Sequence, residues 1–533
     1  MRSLTSPTLR LDFVSPLPPV RSGIADYSVD LLPALAERAD VRVLGLAGQP
    51  VDPGVARRFA VVPAAEAPDE GRLPLYQMGN NRHHDPVEAL ALGRPGVLTL
   101  HDVVLHHLHS EQTLGVRDYG AYRERLVADH GWVGAKAARP RLWGGHVEAM
   151  LFELPAHRTL LCRQRGVLVH SAWAARTLTE EIPGLRVAAV PMGIPLPPPA
   201  DRAVGLGFRQ RHGIPPDVPL IGSFGFQTPI KRTDRVVHAL TAPQLSRVHL
   251  VIVGESPAGA SLVELARELG VADRVFETGF VTFDEFEAGI AASDLALNLR
   301  YPSAGETSAS LLRVLAAGRP AIVSEFAQFA ELPAAVALQV PVGEGEVEGL
   351  VARLAELLAA PEALASMGAA AREHVRREHD PARAAAAVVE HCAAWQHAEP
   401  LGATAPEVPA PTSFTGHHLP ARLAVSGAER PWPAGERRHL RATLVNSGPA
   451  TLLAAERGPG GIALEVAWVT PGGDPDAGRP WLPLPRDLAA GESHTFEFAL
   501  RRPLGEAALR LIPQLAGGPR LVELGGPLWE GEL

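Results

Sequence analysis

The chain has 533 residues, 46% hydrophobic and 20% charged, with 50 Lys and Arg against 59 Asp and Glu for a formal net charge of −9. That mildly acidic balance, without a long basic stripe, excludes an electrostatic nucleic-acid footprint. Two distant cysteines, Cys162 and Cys392, exclude a disulfide framework and a multi-thiolate zinc site and fit a reducing compartment.

No apolar run reaches about 18 residues and no charged-then-apolar leader follows Met1, so a cytoplasmic protein is expected. Peripheral contact with the inner face of the cell membrane, through a local basic patch, stays open. At roughly 150 residues per domain the length predicts three or four units. From Leu9 to about Met192, apolar runs such as "LRLDFVSP", "VRVLGLAG", "GVLTLHDVV" and "VAAVPMGI" alternate with helical stretches such as "ADYSVDLLPALAERA". Runs of that length between amphipathic segments predict a parallel sheet with helices on both faces. The pattern restarts with "VPLIGSFGF", "VHLVIVGE", "DLALNLRY" and "PAIVSE" to about Val340, and closing helices follow through "DPARAAAAVVEHCAAWQHA". The fold class is therefore α/β, with two Rossmann-like doubly wound domains at 1–195 and 196–400. Residues 401–419, rich in Pro, Ala and Thr, read as a semi-extended linker. From 420 to 533, runs such as "RHLRATLVNSG", "IALEVAWVT" and "SHTFEFALR" alternate apolar and polar residues between Gly/Pro/Asp turns such as "TPGGDPDAG". They predict an antiparallel β-sandwich, in which Trp468 and Trp481 read as core residues ahead of sugar-stacking ones.

In open α/β sheets ligands bind at the carboxyl ends of strands, so the loops after strands are where chemistry is expected. The first, "SPLPPVRSGIADYS", brings Gly23 to a helix start, where backbone can approach an anion, although a Pro-stiffened turn explains the same residues. After "GVLTL" come His101 and Asp102, then His106, His107 and His109, with His83 and His84 upstream. Their spacing matches no standard metal-ligand set, and neighbours at 106 and 107 cannot share a helix face, so no metal is expected. His101, at a strand tip, is a candidate hydrogen-bond donor or proton shuttle. Further on, Lys231 precedes a helix, where its charge can meet a phosphate. "GETSAS" is a second candidate anion site. Gly305, Thr307, Ser308 and Ser310 leave backbone N–H groups uncluttered at a helix start, and Glu306 is at minimum a dipole partner worth about 0.3–1 kcal/mol. Arg300, just upstream, adds positive charge.

Together these segments resemble the family 4 retaining glycosyltransferases of GT-B fold, from about Leu9 to Trp395. "SPLPPVRSGIADYS" is similar to that family's opening glycine loop, "TLHD" to its active-site histidine strand, and "VHSAWAA" and "VPMGI" to its domain-joining region. "GSFGFQTPIKRTD" is similar to its phosphate-lysine segment, "FETGFV" to its base-reading loop and "YPSAGETSASLLRVLAAGRPAIVS" to its donor-sugar motif. The resemblance implies that Lys231 binds the donor diphosphate, with Phe224 and Arg232 in the same segment, and that Gly279 and Phe280 receive the base. It implies that Glu306 holds the transferred sugar, that Gly305 and the N–H groups of Thr307 and Ser308 lie near the phosphates, that Gly23 borders the diphosphate and that His101 sits beside the reacting carbon. His101, Lys231 and Glu306 form the implied catalytic set. The implied reaction is a metal-independent retaining transfer, in bacterial surface polysaccharide synthesis. The sugar moves from a nucleotide-diphosphate sugar, a co-substrate and not a cofactor, to a glycan, lipid-linked or other hydroxyl acceptor. The helices at about 111–158 would face the acceptor. The C-terminal sandwich loosely resembles immunoglobulin-like accessory domains of bacterial polysaccharide enzymes.

Two positions depart from the family's pattern. A second glutamate, separated from the first by seven intervening residues, usually holds the ribose; counting from Glu306 gives Val314, and counting back from Gly318 gives Arg313. The arginine usually found five residues before the phosphate lysine is Phe226, with Arg300 or Arg232 as candidate substitutes. These gaps motivate an alternative, a catalytically inactive GT-B shell that binds glycans or regulates. A nicotinamide-dependent Rossmann enzyme is excluded, because the nearest glycine match, "GLGFRQ", lacks the last glycine.

Overall fold

The computed structural model describes residues 9–143, 148–256, 262–402, 412–413, 419–429, 431–457, 460–469, 480–504, 507–516, 520–524 and 526–532. They form two compact units, 1–112 with 151–403 and 113–150 with 404–533.

The first unit holds two parallel sheets. One contains β1 (Arg10–Val14), β2 (Asp40–Gly45), β3 (Ala60–Pro63), β4 (Leu73–Met78), β5 (Val97–Leu100), β6 (Gly166–Val169) and β7 (Val187–Ala189), in the order β3-β2-β1-β4-β5-β6-β7. The other contains β8 (Leu220–Phe224), β9 (His249–Val253), β10 (Val275–Glu277), β11 (Leu295–Asn298), β12 (Ala321–Ser324) and β13 (Ala337–Val340), in the order β10-β9-β8-β11-β12-β13. Central strands such as β4, β5, β8 and β11 are buried along their whole length, which explains why they read as continuous apolar runs. The strand order reverses between β1 and β4 and between β8 and β11, and a crevice opens at the carboxyl ends on either side of such a point.

One apolar core joins the two sheets. Leu11, Phe13, Leu31 and Leu35 from the first domain cluster with Leu311, Leu315 and Val323 from the second and with Ala384, Ala385 and Val388 of helix Pro381–Trp395. That last helix returns to the first sheet at Gly166, where an added Cβ would lie 2.1 Å from the Trp395 ring. Only glycine lets the indole rest on the start of β6. The same sheet buries Asp12 completely, and Arg42 (2.8 Å), Arg72 (3.2 Å) and Arg94 (3.0 Å) pair with it. A carboxylate so far from water persists because its charge and lone pairs are met from several sides.

In the second unit, residues 113–150, assigned from sequence to the N-terminal domain, include helix Tyr119–Ala138, whose path breaks at Gly131 (φ 58°). Two antiparallel sheets make up the rest: β14 (Ala421–Ser426), β15 (Arg437–Asn446) and β18 (Ser493–Arg501) in one, and β17 (Trp481–Pro483), β16 (Ile462–Val469), β19 (Ala508–Leu515) and β20 (Trp529–Glu532) in the other. Leu440, Ala442 and Leu444 of the first sheet share a core with Ile462, Leu464, Leu509 and Leu511 of the second, the period-2 arrangement of a sandwich. Trp468 stands edge-on to Trp432 at 5.6 Å, as a core residue should, whereas Trp481 is 48% exposed on the short outer strand β17. The expected linker lies largely outside the described residues, as does the "TPGGDPDAG" turn. Its Ser413 is tied in, donating its N–H to the Thr451 carbonyl (2.7 Å) and its hydroxyl to the Gly460 carbonyl (2.6 Å). Among the described residues, no helix is long and apolar enough to cross a membrane.

Candidate active site

β11 ends at Asn298, and residues 299–308 turn before helix Ala309–Ala316. Ser308 caps that helix, accepting the Leu311 N–H (3.2 Å) and donating to Asn298 Oδ1 (3.0 Å). Glu306, expected in the first helical turn, lies in the preceding loop. Its carboxylate accepts from Arg300 Nε (3.1 Å) and Ser303 Oγ (3.2 Å), so an ion pair fixes it where a helix dipole was expected to act. Gly305 has φ 77°, and a Cβ there would meet Val103 Cγ2 at 2.6 Å. Both the backbone angle and the close approach require glycine.

Lys231 closes a short turn after β8 and is buried, its Nζ donating to the Phe224 carbonyl. Burial and the neighbouring Arg300 hold its pKa well below the usual lysine range, against the pull of Glu306. Burial likewise lowers Arg300, with Glu306 opposing. Lys231 and Arg300 are thus two desolvated basic side chains against the one carboxylate of part-exposed Glu306, and an anion placed beside them would favour their charged forms. Phe224 contributes through its carbonyl, since its side chain is buried edge-on to Phe286 at 5.5 Å. Arg232, expected at the donor site, is committed elsewhere: it has φ 51°, pairs through Nε with buried Glu346 (2.6 Å) and lies over the Tyr301 ring. Its charge is neutralised by that carboxylate.

Three glycines with positive φ line the ends of β8, β9 and β10. They are Gly225 (86°), Gly254 (147°) and Gly279 (69°), and Gly254 forms an antiparallel bridge with Gly279. Next to Gly279, Phe280 is 62% exposed, with the Arg21 guanidinium 4.6 Å above its ring. Arg313 pairs with Asp30 of helix Gly23–Ala36 (3.0 Å) and lies over Phe283 (4.7 Å). Burial raises the pKa of both Asp26 and Asp30, with Arg313 opposing.

On the first sheet, Gly23 opens helix Gly23–Ala36 behind the Ser22 cap, and no described atom lies within 4 Å of an added Cβ. His101 follows β5, but both its ring nitrogens turn inward, Nε2 to Gln77 Oε1 (2.9 Å) and Nδ1 to His170 Nε2 (3.2 Å). Tyr27 packs edge-on to it at 4.9 Å. Burial first, then His170 and His84, hold His101 well below the usual histidine range, so it is neutral at pH 7 and already bonded within the protein. The other loop histidines scatter: His84 to Asn81, His106 to the Leu154 carbonyl (2.8 Å), His107 to Asn80 (2.9 Å) and His109 towards Glu88 (3.6 Å).

Sequence reasoning passed over Asp102 and Asp30. Asp102 was visible only as the neighbour of His101 in "TLHD", and Asp30 only as a residue one turn after Asp26.

A family model described as "Glycosyl transferases group 1" matches residues 215–360. A GDP-mannose-dependent alpha-(1-6)-phosphatidylinositol monomannoside mannosyltransferase of Mycobacterium tuberculosis, found in two strains, is 32% identical over 288 residues, covering 47% of this chain and 73% of that protein. Among solved structures, a sucrose-phosphate synthase from Thermosynechococcus elongatus matches with a TM-score of 0.52 at 16% identity, over 72% of this chain and 98% of the other.

Proposed function

The chain belongs to the group 1 glycosyl transferases, and within that family we propose a metal-independent, retaining transfer from a nucleotide-diphosphate sugar to a hydroxyl of a glycan or lipid-linked acceptor. The observation that carries this reading is the pair of buried basic side chains Lys231 and Arg300 with part-exposed Glu306 between strand β11 and the Ser308-capped helix. When the bond between the sugar and the diphosphate breaks, negative charge grows on the leaving phosphate. Two desolvated cations and the helix N–H groups are already in place to meet it, the role an oxyanion hole plays in acyl transfer. Glu306, anchored by Arg300 and Ser303, accepts hydrogen bonds from the sugar and is a positioning group, not a nucleophile. The open backbone at Gly23 gives the diphosphate room, and exposed Phe280 offers a face for the base. Asp30, paired with Arg313, brings a carboxylate beside the position where the resemblance leads one to expect a second acid for the ribose.

The name of the mycobacterial relative specifies GDP-mannose as donor and a phosphatidylinositol mannoside as acceptor, which supports a hexose donor and a lipid-linked acceptor here. Two measurements test the mechanism. The product's anomeric configuration, read by proton NMR, is expected to match the donor's, and an inverted product overturns retention. Chelation with EDTA is expected to leave turnover unchanged; a loss restored by adding back a divalent cation overturns metal independence.

A further inference from the structure

Two carboxyl groups stand on facing loops of the first unit. The loop after β5 is fastened to the loop after β11 by the Val104 N–H to Ala304 carbonyl bond (3.1 Å) and by Val103 against Gly305. Asp102 lies on the first loop and Glu306 on the second. Their partners differ. Glu306 is ion-paired with Arg300, whereas Asp102 has no cation: its Oδ2 accepts the Asn80 N–H (2.9 Å), and its other oxygen has no hydrogen-bond partner among the described residues. The ionisable group that acts on it is Glu306 from the second domain; His101 precedes it in the chain, and His107 bonds the side chain of Asn80 (2.9 Å). Burial and the Glu306 charge push the Asp102 pKa up to about 7, against the Asn80 bond. This is the expected outcome when two carboxylates share one desolvated site.

We infer that Asp102 is a further contact of the transferred sugar, donating a hydrogen bond from its carboxyl group to one hydroxyl while Glu306 accepts one from another. This rests on the transferase reading above. A sugar hydroxyl both donates and accepts, so one neutral and one ionised carboxyl group can engage neighbouring hydroxyls and leave no buried oxygen unpaired. Ionisation of Asp102 removes the donor and sets two negative charges facing each other, so the hold on the sugar weakens as pH rises.

The test is calorimetric binding of GDP-mannose against the terminal-phosphate methyl ester of GDP, and of UDP-glucose against that of UDP, nucleotides that lack the terminal-phosphate ionisation near pH 6 just as the sugar nucleotides do, to the full chain from about pH 5.5 to about pH 8.5, a window that brackets the Asp102 transition. The ratio of sugar-nucleotide to methyl-ester affinity cancels the phosphate contacts. It is expected to fall ~10-fold as pH rises through the Asp102 transition, a tenfold change being about 1.4 kcal/mol, the upper part of the range for one hydrogen bond between neutral groups. D102A is expected to show the low ratio at every pH. D102N, whose amide keeps the Asn80 bond and donates at any pH, is expected to recover most of the ratio and lose its pH dependence. A flat wild-type ratio, a pH dependence that survives in D102N, or a wild-type ratio in D102A overturns the inference while the transferase reading stands. Absence of binding by every nucleotide and nucleotide sugar overturns that reading first, and this one with it.

Discussion

Lys231 is buried and Glu306 is fixed by Arg300 and Ser303, so solvent is a poor substitute for either. Removing a preorganised charge partner costs about 10²-fold or more in turnover, and Lys231→Ala and Glu306→Ala are each expected to show it in steady-state assays. Near-wild-type rates in both variants would remove them from the chemistry. These two residues, with Gly305, could be singled out from the sequence because each follows a strand or comes shortly ahead of a helix, a local pattern. The direction of the Arg232 side chain was not legible, because it is set by Glu346, 114 residues away. His101 was legible as a strand-tip residue, but its inward turn depends on Gln77 and His170 on neighbouring strands. Asp102 went unrecognised for the same reason: its chemistry comes from Glu306, which only the folded chain brings near.

At the scale of elements, the buried Asp12 holds together three arginines, Arg42 of β2, Arg72 before β4 and Arg94 before β5. Asp12→Ala removes the carboxylate that these guanidiniums share and leaves each only an outer, more exposed one, Glu70 for Arg42 (3.6 Å), Asp40 for Arg72 (2.7 Å) and Asp69 for Arg94 (3.0 Å); removing one partner of a buried pair costs about 3–5 kcal/mol where the other is left bare. Urea unfolding of the full chain is expected to show a loss of up to that size, and a loss under about 1 kcal/mol would show that the outer carboxylates suffice. The parallel strands were readable because both their faces are buried, which forces uninterrupted apolar runs. The start of the helix at Ala309 was read too early, since "GETSAS" offers several residues able to cap. Ser308 takes that place because Asn298 receives its hydroxyl.

For the whole molecule, alternation of strands and helices foretold two Rossmann-like domains, and period-2 alternation foretold the C-terminal sheets. The grouping of residues 113–150 with 404–533 was not legible, because membership of a compact unit depends on distant contacts and not on local periodicity. Trp481 shows the same limit: alternation suggested a core position, but β17 is a short outer strand and leaves the indole exposed. The central claim is that the Lys231–Arg300–Glu306 group drives transfer from a nucleotide sugar. Its most direct test is nucleotide release by the full chain from GDP-mannose and from UDP-, ADP- and dTDP-sugars, with lipid and glycan extracts as acceptors. Release from one donor class, dependent on acceptor and lost in Lys231→Ala, is the expected result; no release from any donor with any acceptor would contradict it.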